Sequence, residues 1–461
     1  MSTDIAATEL PPPVSFWEAA LYWLKLGFIS FGGPAGQISM MHQELVEKRR
    51  WISEHRFLHA LNYTMVLPGP EAQQLATYIG WLMHGVKGGI IAGVLFVLPS
   101  LFILITLSWI YLAYGDVTAV AGVLYGIKPA VIAIIAFAAF RIGSKALTNN
   151  VLRTMALAAF IAIYFFGIYF PVIVLVAAIF AYVGSTIQPK YFQAGAQHGS
   201  SKDSYGLAII DDDTATPEHA RFKWSRVVMY STVGLAIGGS VMLMLISLYT
   251  WDGIYTQMSW FFTKAALVTF GGAYAVLPYV KDAGVDHYHW LSAGQMMDGL
   301  ALGETTPGPL IMVVAFVGFI GGATQNLSSA GIDPLSGIIG ASIATLFTFL
   351  PSFLFILVGG PAVEATRGDM KFTAPLTGIT ASVVGAILYL AVFFCEKTFW
   401  PQGFNESVSW FTNLIAIDWF SGLIALVAVV ALFKFKVGII KLIGVCALTG
   451  LAYYLLFPVA S

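Results

Sequence analysis

Phe31-Gly32-Gly33, Trp51 and Pro68-Gly69-Pro70 recur 239 positions later as Phe270-Gly271-Gly272, Trp290 and Pro307-Gly308-Pro309. Lys25 and Lys264 keep that spacing, and so do Ser53 and Ser292. Further on, Leu98-Pro99-Ser100 matches Leu350-Pro351-Ser352 and Gly126 matches Gly378, at a spacing of 252. The 13 extra residues fit the Gly/Ser/Asn-rich stretch Gly322–Gly337, which the first copy lacks. The chain therefore holds one unit twice. In an apolar chain, paired segments broken by Gly and Pro at matching positions point to a transporter's binding site.

The chain is apolar, with 58% hydrophobic and only 10% charged residues over 461 positions. That composition excludes an ordinary soluble domain, and its long uncharged runs read as membrane spans. A net charge of −1 with no basic stripe argues against a nucleic-acid partner. Cys395 and Cys446 form no metal spacing and no disulfide framework. Residues 1–15 lack Lys and Arg and hold three prolines, so they read as a soluble tail rather than a cleavable signal. No Ser-His-Asp arrangement, phosphate loop or zinc motif is present, so neither an enzyme nor a cofactor or metal is expected.

Apolar windows predict an all-α polytopic membrane protein. The first repeat, 16–188, reads as Phe16–Phe31, a broken segment His59–Met83, then Ile90–Tyr111, Val120–Arg141, Val151–Phe170 and Pro171–Ile187. A cytoplasmic linker, 189–226, leads to a spacer span, Val227–Trp251. The second repeat, 252–461, reads as Trp260–Phe270, a broken Gln295–Ile320, then Gly337–Val358, Ala374–Phe394, Phe411–Phe433 and Val437–Leu456. Counting broken segments as crossings gives about 13 transmembrane segments. Six spans plus one spacer is odd, so the two repeats should have inverted topology. The Lys/Arg bias agrees: Arg141, Lys145, Arg153 and the linker mark one side, whereas Arg367, Lys371, Lys434, Lys436 and Lys441 fill second-repeat loops whose first-repeat counterparts, near Asp116 and Phe170, have none. The N-terminus is then cytoplasmic and the C-terminus outside. Lys48, Arg49, Arg50 and Arg56 contradict that count, which places their loop outside. Their positions are explained if Phe16–Gly33 and the Pro-Gly-Pro segment are re-entrant and never cross.

Pro68-Gly69-Pro70 must break its helix, because proline lacks the backbone donor and glycine tolerates unusual dihedrals. Within a bilayer such backbone is tolerated only when buried in protein or lining a cavity. The half-helix after the break, with free amides and a positive dipole end, suits an anion; the bland alternative is a kink. Pro307-Gly308-Pro309 repeats the site, preceded by Thr305 and Thr306. Gly32, Gly33, Gly271 and Gly272 leave amides open to a ligand, or else cap and pack helices. Lys25 and Lys264 read as intramembrane cations facing one dianion, or as anchors snorkelling to an interface. Lys128, mid-span between Gly126 and Pro129, is an anion ligand or a counter-ion to Glu71 or Asp298. Glu71 and Glu304 flank the two breaks at non-equivalent positions and are candidates for proton coupling, since a carboxylate in a low-dielectric cavity can exchange a proton near neutrality. Asp211-Asp212-Asp213 reads as a solvated charge run, and Asp286, His287 and His289 as a loop.

Phe31-Gly32-Gly33-Pro34, Trp51, Pro68-Gly69-Pro70 and Leu98-Pro99-Ser100 together resemble the chromate ion transporter family in its long, duplicated form. The resemblance runs from about Phe16 onwards and implies a multi-pass protein of the cell inner membrane that exports chromate and confers chromate resistance. The second copy departs from it at Ala273, where the first has proline, and at Thr305-Thr306. Chromate and sulfate are tetrahedral dianions of similar size, so sulfate is expected as a competitor. The expected partners are chromate and the lipid bilayer, with a homodimer left open. A proton-coupled sulfate importer and a non-transporting scaffold or sensor are the competing readings, separable by the direction of chromate flux or by its absence. Inverted topology predicts that a thiol reagent applied outside labels a cysteine placed near Asp116 but not one near Arg367. Equal labelling at both would reject the antiparallel arrangement.

Overall fold

The computed structural model describes residues 10–31, 33–115, 117–192, 205–325, 333–366, 373–401, 403 and 416–457. Gly32, Asp116, Arg367, Lys371 and parts of the linker, of the Gly/Ser/Asn-rich insertion and of Phe411–Phe433 lie outside them. Among the described residues the fold is helical, with one isolated parallel bridge between Ile52 and Ile210.

The first repeat opens with two helical hairpins. Helix α1 (Phe16–Ile29) runs in and α2 (Gly33–His42) runs back, extended by a π-helical turn, Gln43–Lys48. The return is fixed by Trp51 against Tyr22 (5.3 Å between rings) and by Arg49 reaching Glu18 at 3.5 Å. Arg49 also bonds Glu44 at 2.8 Å and holds that carboxyl below its ordinary range. Helix α3 (Glu54–Val66) is N-capped by Ser53 and stops at the Pro-Gly-Pro break. Helix α4 (Glu71–Tyr114) follows, itself folded at His84–Gly85 into two antiparallel limbs. Gly85 makes that turn at φ 66°, a left-handed conformation natural to glycine. Small faces let the limbs touch, Gly80 lying against Gly88 and Ala92. Along a continuous helix Tyr63 and Tyr78 would be about 22 Å apart. Their rings are 5.7 Å apart, so α3 and the first limb of α4 form a hairpin with Pro68-Gly69-Pro70 at its tip.

The second limb of α4 is followed by α5 (Thr118–Ala146), α6 (Asn150–Phe166), α7 (Phe170–Ile187) and the spacer α8 (Trp224–Tyr249). The second repeat repeats the plan. Helices α9 (Ile254–Val268) and α10 (Ala273–Lys281) form one hairpin, Phe261 meeting Tyr279 at 4.9 Å. Helices α11 (Ala293–Thr305) and α12 (Val313–Gln325) form the other, with Phe316 against Gly299 and Gly321 against Trp290. Ser292 caps α11 as Ser53 caps α3, which explains that repeated serine. Helices α13 (Pro334–Thr366), α14 (Thr373–Phe399), α15 (Trp419–Phe433) and α16 (Ile439–Leu456) complete the chain.

The two sets of hairpins approach from opposite ends. The first set opens where Val14, His84, Trp81 and the linker meet: His84 bonds Val14 O, His219 bonds Trp81 O, and Ser53 donates to Asp212 at 2.6 Å. The triple aspartate is thus partly a capping element, since Asp211 also accepts from the Ala208 and Asp212 amides. The α4 second limb leaves this face and ends with Tyr111 bonded to Asp298 in the mouth of the second set. Reciprocally, α13 leaves the second mouth and ends with Glu364 ion-paired to Arg56 (3.0 Å) and accepting a hydrogen bond from Tyr78 (2.5 Å) in the first. The hairpin tips meet between the faces. Gly69 N–H donates to Thr269 O at 2.7 Å, and Gly308 N–H to Ser30 O at 2.9 Å. Ser352 packs on Gly69 and Ser100 on Gly308, which gives the duplicated Leu-Pro-Ser its place. Each donor–acceptor pair maps onto the other by the repeat spacings.

Four segments expected as crossings, Phe16–Phe31, His59–Met83, Trp260–Phe270 and Gln295–Ile320, form hairpins or limbs of hairpins in the structure. Seven described helices are long and apolar enough to cross a membrane, among them α4, α5, α13 and α14. The shorter α6 and α15 run beside them.

Gly69 and Gly308 have φ of 122° and 107°, and a Cβ there would approach Ser352 Oγ at 2.5 Å or Ser100 Cβ at 2.6 Å. Gly308→Ala is expected to destabilise the protein by about 1–3 kcal/mol, from backbone strain before the clash is added. Thermal unfolding in detergent reads this; an unshifted transition would mean the tips are not held as described.

Candidate functional site

Because the tips are short and the breaks leave helix ends unfilled, a cavity of about 720 Å³ opens on the face of the first hairpin set and reaches the tips. Its floor is Phe270-Gly271-Gly272-Ala273, and Pro34 and Ala35 at the start of α2 lie beside it. Positive φ at Gly33, Gly271 and Gly272 turns the chain so that α2 and α10 both begin here. A Cβ on Gly272 would lie 4.0 Å from Pro34 Cγ, so the two repeated turns adjoin. First-turn amides have no partner inside their own helix and carry the positive dipole end. Two such ends at one cavity bring amides of both repeats to the same space, chemistry suited to an anion.

The mouth supplies charge. Arg141 and Lys145, on the last turns of α5, line the wall with His42, Glu54 and Glu71. His42 is paired at the rim with Glu47 (3.0 Å) and Glu54 (2.5 Å). Tyr274 lies on the wall and donates its hydroxyl to Glu304, one layer beneath it. Thr380, the repeat counterpart of Lys128, also lines the wall.

The structure sorts the sequence candidates. Gly33 lies at this turn, Gly271 and Gly272 form the floor, Glu71 is on the wall, and Glu304 sits behind Tyr274; Gly32 lies outside the described residues. Pro68-Gly69-Pro70 and Pro307-Gly308-Pro309 are brought together, but their central amides are spent on the other repeat, so they hold the tips rather than offer donors. Thr305 and Thr306 donate their hydroxyls to backbone carbonyls of their own helix. Lys25 and Lys264 are not brought together: Lys25 is exposed on the outer surface of α1, and Lys264 lies over the Trp260 ring at 5.5 Å. Neither lines the cavity, which corrects the expectation of a shared dianion between them and fits the snorkelling alternative. Lys128 pairs with buried Asp298 at 3.6 Å, the counter-ion alternative. Asp286 pairs with Lys281 at 2.7 Å.

Arg141 and Lys145 were legible only as markers of sidedness. The predicted span Val120–Arg141 ends at Arg141, whereas α5 continues to Ala146 and carries both cations along the cavity. A repeat-aware reading held the signal, since Lys145 and Lys397 share the spacing of 252.

The chromate transporter family profile matches residues 17–183 and 256–451. A chromate transport protein of Cupriavidus metallidurans is 28% identical over 454 residues, 98% of this chain and 97% of its own length. One of Pseudomonas aeruginosa is 32% identical, covering 84% of this chain and 82% of its own. A probable chromate transport protein of Synechococcus elongatus is 29% identical over 84% and 86% of the two chains. No solved structure gives a significant match.

If the cavity opens only on the face of Arg141, Ser39→Cys and Thr377→Cys should react with an impermeant thiol reagent added at that face and be shielded from the other by at least about tenfold in rate. Labelling from either face at similar rates would show that the floor does not seal.

Proposed function

The chain belongs to the chromate transporter family, and we propose that it carries chromate out of the cytoplasm through the cavity on its basic face. The observation that supports this most is the convergence of the α2 and α10 N-termini under a mouth carrying Arg141 and Lys145. Backbone amides wrap a tetrahedral oxyanion without a fixed geometry, while a guanidinium gives paired donors. The Phe-Gly-Gly turns with these two cations form the substrate site. The Pro-Gly-Pro breaks hold it in register.

Sidedness follows from charge. Arg49, Arg50, Lys145, Lys190, Arg221, Lys223 and Lys434 gather at the face of the first hairpin set, as the contacts Ile209–Arg50, Asn149–Tyr191 and Phe137–Phe433 require. The positive-inside rule makes this the cytoplasmic face. The second limb of α4, α5–α8 and α13–α16 then cross, with four re-entrant hairpins between them and the repeats inverted about the tips. The N-terminus is cytoplasmic and the C-terminus outside. The basic 48–56 loop, in conflict with the 13-crossing count, falls on the expected side.

The driving force suits export. A dianion leaving an inside-negative cell gains about 4.6 kcal/mol per 100 mV, at about 2.3 per charge. Glu71 shares the cavity wall, and repulsion between an ionised Glu71 and a bound dianion links anion binding to that carboxyl's charge. This is the route by which protons would couple to flux, with Tyr274–Glu304 next to it.

Inverted vesicles are expected to accumulate radiolabelled chromate under an imposed potential, with sulfate competing and an uncoupler abolishing uptake. Arg141→Gln should weaken apparent chromate affinity about tenfold to a hundredfold, the worth of a hydrogen bond to a charged group. Lys25→Ala and Lys264→Ala should keep wild-type affinity. Absence of uptake sinks the export reading, and an unaffected Arg141→Gln removes that residue from the site.

A further inference from the structure

The open cavity has a counterpart in the other half that is packed shut. By the spacing of 239, Leu58 corresponds to Met297 and His42 to Lys281; by 252, Ala146 corresponds to Thr398, Lys145 to Lys397 and Thr380 to Lys128. Leu58 and Ala146 both line the open cavity. Met297 and Thr398 instead touch, with Sδ and Oγ1 3.5 Å apart, and both are buried. Met296, Leu300 and Phe394 around them are buried to 2% exposure or less.

The charges of this closed half are held by partners. Lys281 is 2% exposed, bonded to Asp286 at 2.7 Å and Tyr389 Oη at 2.6 Å, with its ammonium 3.9 Å from the Phe393 ring centre. Its counterpart His42 pairs with Glu47, which corresponds to Asp286. His42 and Lys281 sit immediately before equivalent π-helical turns, Gln43–Lys48 and Asp282–His287, a geometry frequent at functional sites. Lys128 is likewise held by Asp298, to which Tyr111 also donates. A buried ammonium is costly unless paired. Here two pairs hold Lys281 and Lys128, and Lys397 is exposed beyond them; the open half has His42, Thr380 and Lys145 at these positions, with Arg141 where the closed half has Phe393.

We propose that this packed region, between α11 and α14, is a second oxyanion vestibule, the repeat-related copy of the open cavity, and that it opens to the opposite face when the first closes. Lys281 and Lys128 leave their carboxylates as the vestibule opens and line the exit, with Lys397 at its mouth. The proposal rests on the export reading and extends it: Lys281, Lys128 and Lys397 supply cations on the side where the anion is released. Transport requires Met297 and Thr398 to part.

The test uses the full chain with Cys395→Ser and Cys446→Ser, reconstituted in inverted vesicles, carrying Met297→Cys and Thr398→Cys. A short thiol cross-linker is expected to reduce chromate flux to background, and reduction is expected to restore it. Flux by the reduced sample reports on the export reading; flux by the cross-linked sample reports on the vestibule alone. As a second measurement, Met297→Cys alone should be shielded from an impermeant reagent at the opposite face at rest, and become reactive when chromate is supplied at the basic face. Lys281→Gln should slow turnover severalfold. Flux that continues with the cross-link in place, or Met297→Cys labelling that ignores chromate, overturns the vestibule. Unaltered turnover by Lys281→Gln removes that lysine from the path.

Discussion

Two buried hydrogen bonds, Gly69 N–H to Thr269 O and Gly308 N–H to Ser30 O, are the constraint on which the rest of the architecture depends. Each joins the break of one repeat to the end of the first half-helix of the other. A backbone donor left unpaired in such a setting costs about 1–3 kcal/mol, so neither repeat satisfies its own break. Pairing across the repeats also decides the shape of the interior. The half-helices that begin at the tips present their positive N-terminal ends where a continuous helix would have placed side chains.

The interior is asymmetric although the plan is repeated. On the basic face the wall residues stand apart and Arg141 and Lys145 border open space; on the other, Met297 and Thr398 close the equivalent gap. The polar contacts at the ends of the two long helices differ in kind as well. Glu364 meets an arginine and a tyrosine, whereas Asp298 meets a lysine and a tyrosine. Such pairs gain little stability over apolar packing but penalise any arrangement that leaves a charge alone. They favour the arrangement seen here over any that separates the partners.

Much of this plan was legible in the sequence, because a repeat exposes special positions twice. Ser53 and Ser292 cap equivalent helices, and Leu-Pro-Ser packs on the opposite break. The breaks were identified as breaks from Pro and Gly alone. Two things were hidden. An apolar window of crossing length cannot distinguish a span from a hairpin limb joined to its neighbour, so His59–Met83 read as a crossing. Orientation about a helix axis was hidden too. Lys25 and Lys264 obey the repeat as faithfully as the glycines, yet they face outward, and only the packing of α1 and α9 shows it.

The repeats are also interlaced beyond their tips. Gly378 of α14 packs on Ala177 and Ala181 of α7, and Gly126 of α5 packs on Cys446 and Gly450 of α16. Each repeat's helix pair thus embraces a helix of the other. For a chain made from its N-terminus, this sets an order of biogenesis. When the first repeat has entered the bilayer, its Gly69 amide has no carbonyl, α5 has no α16, and the α6–α7 pair has nothing to hold. The early half must wait in a provisional, loosely packed form, open to proteases and quality control, until residues far down the chain arrive. A truncation late in the chain, even within α16, would therefore be felt at the very first helices to be synthesised.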